Sequence, residues 1–172
     1  RTYKGVPVVQ SRPGKGGTNM NEASMITNRE FCLVSNRSKL IRMIMQPWLA
    51  LGHDPKLVTR LSTAVRKAIR ANASLLPGER DLADAHFEHL AGFEYNMNSP
   101  FSEYFNAPIL VNKIPEGIRL QIPEFNPRTT LIFPPAGVAC ELRVLLTAID
   151  LAKQRYCHCE EKTILIPEGS TH

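Results

Sequence analysis

Apolar residues recur at helical spacing in the first part of the chain and predict a long helix there. The spacing is three, four and seven residues, which places one apolar stripe along a helix. Asn21 can cap the start of this helix, and Glu22 lies in its first turn, where the helix dipole favours a carboxylate. Pro47 is expected to bend or end it. The stripe consists of Phe31, Val34, Ile41, Ile44, Met45 and Trp48.

A second amphipathic helix is predicted from about Lys56 to Asn72, after a turn in which Asp54 is expected to act as the helix cap. The two helices together predict a helical hairpin. Residues 75–79 break the pattern with Pro and Gly, and a short third helix is predicted between Asp81 and Ala91. The apolar face of the second helix consists of Leu57, Leu61, Ala64 and Ala68, joined by Val65 and Ile69.

From Gly92 onward, short runs with a period of two replace the helical pattern. Residues 117–122 alternate cleanly and predict a half-buried strand. The segment from Cys140 to Leu151 fits both a helical and a strand period, and its proline-bounded neighbours favour a strand. Further strand candidates are Ile109 to Val111, Leu131 to Phe133 and Thr163 to Ile166.

These patterns predict an α+β fold, with an N-terminal helical hairpin followed by a small antiparallel β-sheet or sandwich-like domain. We expect residues 1–99 to form a basic helical region with an opening strand and loop. Residues 100–172 then form a β-rich domain, which is expected to be cut short at the C-terminal end. The chain of 172 residues is long enough for one ordinary domain or two small ones.

Composition indicates a globular protein, with 43% hydrophobic and 22% charged residues. No apolar run approaches the roughly 20 residues that cross a bilayer, so no membrane span is predicted. The 4 cysteines are too few and too unevenly placed for a disulfide framework. Free thiols are therefore expected, and they favour the cytoplasm as the compartment.

The net charge of +5 conceals an uneven distribution. Residues 1–70 contain 13 Lys or Arg against 3 Asp or Glu, a balance of 13 − 3 = +10. Residues 71–172 contain 8 against 13, a balance of 8 − 13 = −5. This split predicts either an anion site or an acidic partner for the basic half. The candidate anion-binding residues are Arg37, Arg42, Arg60, Arg66, Lys67 and Arg70.

The motifs that could carry catalysis or bind a cofactor are incomplete. The loop at residues 14–18, Gly-Lys-Gly-Gly-Thr, lacks the Gly-Lys-Ser/Thr ending of a phosphate-binding loop. His86 and His89 lie one turn apart without a third ligand, and Cys157 and Cys159 are expected to share one face of a strand as small buried residues. No catalytic residue, metal or cofactor is predicted, and the chain is not expected to be an enzyme.

The order of several short motifs resembles a group of uncharacterised proteins, mostly from Bacteroidetes bacteria, that are catalogued as a domain of unknown function. The matching elements in the first half are Ser11-Arg12-Pro13, Thr27 to Phe31, and Gln46-Pro47 with Leu49 and Gly52. Those in the second half are Ile122 to Phe125, Pro134 to Gly137, and Glu141 to Asp150. The resemblance implies a helical element joined to a small β-rich domain, further strands after His172, and no established catalytic residue. The chain departs from that pattern because it lacks the opening Gly-rich strand.

The function expected from the sequence is that of a non-catalytic protein-interaction or assembly module. Its partner would be another protein or a second copy of the chain, bound through complementary charge and exposed apolar residues such as Tyr104, Phe105 and Phe133. The alternative is a nucleic-acid-binding protein that uses the basic helical hairpin to contact phosphates.

Overall fold

A computed structural model describes residues 21–133 and 139–167, together with the backbone of two short strands near the start of the chain. These strands, β1 (Thr2–Tyr3) and β2 (Val6–Pro7), pair antiparallel. The glycine-rich loop at residues 14–18 lies outside the described residues.

The first long helix, α1, spans Glu22–Leu49 and begins as the sequence predicts. The Oδ1 of Asn21 accepts the N–H of Ser24 at 2.8 Å and so caps the helix. Pro47 lies inside the last turn and does not end the helix there. A proline at this position removes the helical donor to the carbonyl of Met43, and the hydroxyl of Tyr156 approaches that carbonyl at 3.4 Å.

The second helix, α2, spans Leu57–Ala71, within one residue of the predicted bounds at each end. The prediction that Asp54 caps it is wrong, because Lys56 occupies the cap position and makes no side-chain capping bond. The Oδ1 of Asp54 instead accepts the N–H of Lys56 at 2.8 Å, which closes the turn before the helix.

The predicted third helix is replaced by two single 3₁₀ turns, Leu82–Asp84 and Phe87–His89. The chain between them is extended, and the N–H of His86 donates to the carbonyl of Ala68 on α2 at 3.4 Å. This bond to a neighbouring helix competes with a continuous helix across the segment.

The helical hairpin buries an apolar cluster between α1, α2 and the first 3₁₀ turn. The cluster consists of Val34, Leu61, Val65, Ile69 and Leu82. Each fully buried aliphatic side chain stabilises a fold by roughly 1.5–3 kcal/mol relative to exposure. The predicted stripe on α1 is only partly correct, because Phe31 is 59% exposed while its neighbour Glu30 is buried. Adjacent residues on a helix point about 100° apart, so a helix that turns Glu30 toward α2 directs Phe31 to solvent.

The β-rich half consists of two separate antiparallel hairpins rather than one layered sandwich within the described residues. Strand β3 (Leu110–Ile114) pairs with β4 (Gly117–Gln121). Strand β5 (Ala139–Asp150) pairs with β6 (Arg155–Pro167), so the ambiguous segment after Cys140 is confirmed as a strand.

Two four-residue helices, α3 (Phe101–Tyr104) and α4 (Pro127–Thr130), interrupt this half. The predicted strand from Leu131 to Phe133 is reduced to one isolated bridge between Leu131 and Phe105. A second apolar cluster gathers around that bridge and contains Phe105, Ala107, Leu131, Leu142 and Ile166.

The long β5–β6 hairpin packs against the C-terminal part of α1. The rings of Trp48 and His158 are 6.3 Å apart in an edge-to-face arrangement, and His158 also contacts Tyr156 at 5.2 Å. No helix within the described part of the chain has the length and apolar character that crossing a membrane requires.

Candidate interaction surfaces

The six basic residues singled out in the sequence lie on two helices, and half of them pair with carboxylates of the chain. Arg37 and Arg42 lie on α1, and the other four lie on α2. Three of the six are engaged by carboxylates of the chain itself: Arg37, Arg60 and Arg70.

Arg37 is the most deeply buried of the six, with a side chain that is 7% exposed. Its Nε donates to Oδ1 of Asp81 at 2.7 Å, and its Nη2 donates to the other carboxylate oxygen. Its Nη1 donates to the carbonyl of Leu151, in the turn between β5 and β6, at 2.7 Å. The hydrogen bond to Asp81 raises the pKa of Arg37 and lowers the pKa of Asp81. Arg37 therefore ties α1 to two distant parts of the chain and offers no free charge to a ligand.

Arg60 serves a similar role at the start of α2. Its Nη2 donates to Asp54, and its Nη1 donates to the carbonyl of Glu94 at 2.8 Å. The hydrogen bond with Arg60 holds the pKa of Asp54 below its ordinary value. The guanidinium also lies 5.1 Å from the centroid of the Phe93 ring, over its face.

Arg70 pairs with Glu30, which is buried on α1 with a side chain 7% exposed. This ion pair links the C-terminal end of α2 to the N-terminal half of α1, consistent with an antiparallel pair of helices. The side chain of Arg70 remains 54% exposed, so part of it faces solvent.

Arg42, Arg66 and Lys67 are the three candidates without an ion pair to any of the described residues. Arg42 and Arg66 are half-buried, and Lys67 is exposed. Arg66 and Lys67 are adjacent on α2, but neighbours on a helix point in different directions. Each lies three or four residues before Arg70, the spacing at which side chains on a helix are neighbours, whereas Arg42 is on α1.

The histidine pair of the sequence lies at the surface and is not assembled into a metal centre. The Nδ1 of His86 is 3.0 Å from the carboxylate of Glu88, and both side chains are exposed. The pKa of Glu88 is lowered mainly by a hydrogen bond from the backbone N–H of Glu88 itself, and to a smaller extent by the hydrogen bond with His86. Among the described residues, no group of three or more His, Cys, Asp or Glu side chains is placed to hold a metal ion.

The expectation that Cys157 and Cys159 are buried is wrong, because both are exposed free thiols. The register between β5 and β6 shifts in this region: Leu146 pairs with Glu160, and Thr147 pairs with His158. Cys159 is therefore the extra residue of a β-bulge, where regular alternation of faces does not apply.

Apolar side chains are exposed on the β-rich half, but they are not all those named from the sequence. Phe105 is 6% exposed and belongs to the second core cluster, and Phe133 is half-buried, whereas Tyr104 is 43% exposed. Phe105 is buried because its ring stacks on Phe101 at 5.3 Å and meets Phe125 edge to face at 5.8 Å.

An exposed apolar area on the hairpins was not apparent from the sequence. It consists of Val111, Ile118, Leu120 and Ile164, which are 63%, 53%, 37% and 39% exposed. We refer to these four residues as the apolar β surface. The alternation at residues 117–122 predicts one buried face on β4, yet every residue of that strand is exposed, because no second layer of described residues covers the hairpin.

An aromatic cavity of about 630 Å³ lies between the second 3₁₀ turn and α3. Glu94 is the one charged side chain among the described residues that line it. Its carboxylate accepts the backbone N–H groups of Phe101 at 2.8 Å and of Ser102 at 3.1 Å. The aromatic residues of the lining are Phe93, Tyr95, Phe101 and Tyr104.

Comparisons of the chain with protein-family models, with curated protein sequences and with solved structures each gave no match. The resemblance to the Bacteroidetes proteins therefore stays a prediction based on the order of its short motifs. No activity is therefore inferred for the chain from a similar protein, and its function is argued from its own residues.

Proposed function

We propose that the chain is a non-catalytic assembly module that associates with a second copy of itself through the apolar β surface. The observation that carries this proposal is the exposure of Val111, Ile118 and Leu120 on one face of the β3–β4 hairpin, together with Ile164 of β6, which lines a cavity with Leu120. Exposed apolar patches of this kind commonly mark interaction sites in soluble proteins.

The pairing register places Val111, Ile118 and Leu120 on one face of the β3–β4 hairpin, where Lys113 lies opposite Ile118. Val111 lies opposite Leu120 in the β3–β4 hairpin, and Ile118 lies two residues from Leu120 on the same strand. Residues at this spacing share one face of a sheet. Leu120 and Ile164 line one cavity, which connects this face to β6.

The exposed area is sufficient for a weak dimer. The four side chains together leave the equivalent of about two whole aliphatic side chains in water on each copy. Burying both surfaces in a two-fold contact would release roughly 6–12 kcal/mol, because each whole side chain contributes about 1.5–3 kcal/mol. Association itself costs about 4–15 kcal/mol, so the expected dimer is weak and depends on concentration.

Strand geometry provides a further contribution to self-association. Within the described residues, β3 pairs only with β4, so each strand has one edge whose backbone groups lack a strand partner. An isolated two-stranded hairpin is marginally stable in water, and it gains stability when further strands or a packed face are added. A second copy can supply both.

The ion pairs make nucleic-acid binding the weaker alternative. Arg37, Arg60 and Arg70 already contact carboxylates, which lowers the net positive charge that these three residues offer to phosphates, although Arg70 is still 54% exposed. Phosphate binding draws its affinity from cations that neutralise phosphates and release counterions. Of the remaining three cations, Arg42 and Arg66 are half-buried, so the three together provide less of that effect than six exposed cations would.

Sedimentation equilibrium, over about a hundredfold range of protein concentration, tests the proposal because mass action makes a weak dimer concentration-dependent. The wild-type chain is expected to shift from monomer to dimer, and Val111→Lys is expected to remain monomeric. Leu165→Lys is the matched control, because Leu165 is 62% exposed but neighbours Ile164 and therefore points to the opposite face of β6.

Two outcomes contradict the proposal. One is a wild-type chain that remains monomeric throughout the concentration range. The other is a Val111→Lys variant that dimerises as strongly as the wild type and the Leu165→Lys control.

A further inference from the structure

The aromatic cavity beside α3 combines two features that favour a cationic ligand. Its lining includes four aromatic rings, from Phe93, Tyr95, Phe101 and Tyr104, and one carboxylate, from Glu94. Aromatic rings carry partial negative charge on their faces and attract cations placed over them. A carboxylate near such rings adds a full negative charge.

The protein already places a cation against one of these rings. The guanidinium of Arg60 lies over the face of Phe93, 5.1 Å from the ring centroid. Arg60 donates to Asp54, so its charge is balanced by a carboxylate outside the cavity lining. The rings of Phe93 and Tyr95 meet edge to face at 5.2 Å, which fixes their relative orientation.

Two of the four rings remain open to solvent. Phe101 is 45% exposed and Tyr104 is 43% exposed, both on α3. Glu94 accepts the N–H of Phe101 and of Ser102, so its carboxylate is held at the start of that short helix. The cavity therefore has two partly buried rings, two exposed rings and a carboxylate that is fixed by two backbone N–H groups.

The surrounding sequence reinforces the preference for positive charge. Residues 79–104 contain 6 acidic residues and 1 basic residue, and Arg37 and Arg60 from the two long helices contact this segment, which gives a formal charge of 3 − 6 = −3. Summed negative charge of this kind raises the local concentration of cations.

We propose that this cavity binds a small quaternary ammonium ligand, with its methylated nitrogen held against the aromatic rings and its positive charge near Glu94. A quaternary ammonium is favoured over a primary ammonium because it is weakly hydrated and has methyl groups that pack on aromatic faces. The cavity volume of about 630 Å³ lies within the range of small-molecule sites.

Choline is the probe, and its neutral analogue 3,3-dimethyl-1-butanol is the matched ligand, because it has the same shape with carbon in place of nitrogen. Titration of the wild-type chain by calorimetry or NMR is expected to give a Kd for choline of about 1 mM or lower. The neutral analogue is expected to bind about three- to tenfold more weakly, since it lacks the cation–π attraction.

Substitutions locate the site. Tyr104→Leu and Phe101→Leu are each expected to weaken choline binding about three- to tenfold, with a smaller effect on the neutral analogue. Phe87→Leu is the control, because Phe87 is also an exposed aromatic, at 52%, but lies outside the cavity lining. Glu94→Gln removes the charge but keeps only one of the two oxygens that accept from the α3 backbone, so its effect on choline is compared with its effect on the neutral analogue, and the loss is expected to be larger for choline.

The comparison of choline with its neutral analogue uses only the wild-type chain. It therefore tests whether the cavity recognises positive charge even if a substitution impairs folding. Equal affinity for choline and the neutral analogue would overturn the proposal, since the cavity would then recognise shape alone. Failure of choline to bind at about ten times the expected Kd would also overturn it. A loss of binding in Phe87→Leu equal to that in Tyr104→Leu would place the site elsewhere and overturn it as well.

Discussion

The ion pair between Arg37 and Asp81 is expected to be the most important single polar contact in the fold. It joins α1 to the segment after α2, and the same guanidinium bonds the Leu151 carbonyl in the β5–β6 turn. The substitution Asp81→Asn removes the negative charge and leaves the guanidinium in a site where it is 7% exposed. A buried cation without its carboxylate is strongly unfavourable.

The magnitude follows from the burial of the two partners. Breaking a fully buried ion pair by removing one partner costs about 3–5 kcal/mol. Asp81 is 29% exposed, so water can reach part of the site and reduces the expected loss to about 2–3 kcal/mol. Arg37→Gln is expected to lose more than Asp81→Asn, because it also removes the donor to Leu151.

Equilibrium unfolding in urea measures this loss, and urea is preferred because guanidinium chloride would screen the charges. Far-UV circular dichroism follows the helices. The fluorescence of Trp48, the single tryptophan of the chain, reports the contact between α1 and the β5–β6 hairpin. The control is Glu160→Gln, since Glu160 pairs with Lys162 at the surface, where both side chains are more than half exposed.

The double variant with Arg37→Gln and Asp81→Asn completes a cycle that isolates the pair itself. We expect a coupling free energy of at least about 1 kcal/mol. A loss for Asp81→Asn no larger than the surface value of about 0.5 kcal/mol would refute the reasoning, because the pair would then behave as a solvated contact.

Two further stability predictions concern acid and the glycine turns. The hydrogen bond from Arg60 lowers the pKa of Asp54 in the folded chain. The ionised Asp54 therefore stabilises the fold fully at pH values above the ordinary aspartate pKa of about 3.9. This stabilisation declines as the pH falls below about 3.9 toward the pKa of Asp54 in the folded chain. In a plot of the urea midpoint against pH, Asp54→Asn should reduce the fall of the midpoint at acid pH. A fall as steep as that of the wild-type chain would contradict this prediction. Both Gly78 and Gly92 have positive φ, so an alanine is strained at either position. At Gly78 a Cβ would also lie 3.1 Å from the side chain of Ile26, whereas at Gly92 it would meet nothing within 4 Å. Gly78→Ala should therefore destabilise the fold by about 1 kcal/mol or more beyond the effect of Gly92→Ala. Equal thermal stability of the two variants would show that this contact is relieved without cost.

Local patterns in the sequence were sufficient to locate the main elements. The helical spacing, the capping Asn21 and the Pro-Gly break after α2 depend on residues close in the chain, and the structure places α1 and α2 accordingly. The strand at Cys140 was also correctly distinguished from a helix, because its proline-bounded neighbours point to strands. Turn residues and periodicity act over a few residues, so they can be evaluated from sequence alone.

The candidate basic surface could not be evaluated in the same way. Six cations along two helices suggest an anion site, but only the tertiary structure shows that Arg37 meets Asp81, 44 residues away, and that Arg70 meets Glu30, 40 residues away. Nothing in the local pattern specifies such partners. The aromatic cavity is likewise assembled from residues whose spacing has no helical or strand period, so their convergence was not predictable.

The sequence by itself determined the α+β class, the helical hairpin and the uneven charge, because these follow from periodicity, capping and composition. Tertiary structure decided which charges are neutralised, which apolar residues stay in water and where the aromatic rings gather. Phe105 and Val111 illustrate the difference, since both are apolar residues of the second half but one is 6% and the other 63% exposed. Their burial depends on which distant elements pack against them, and that is a property of the folded chain.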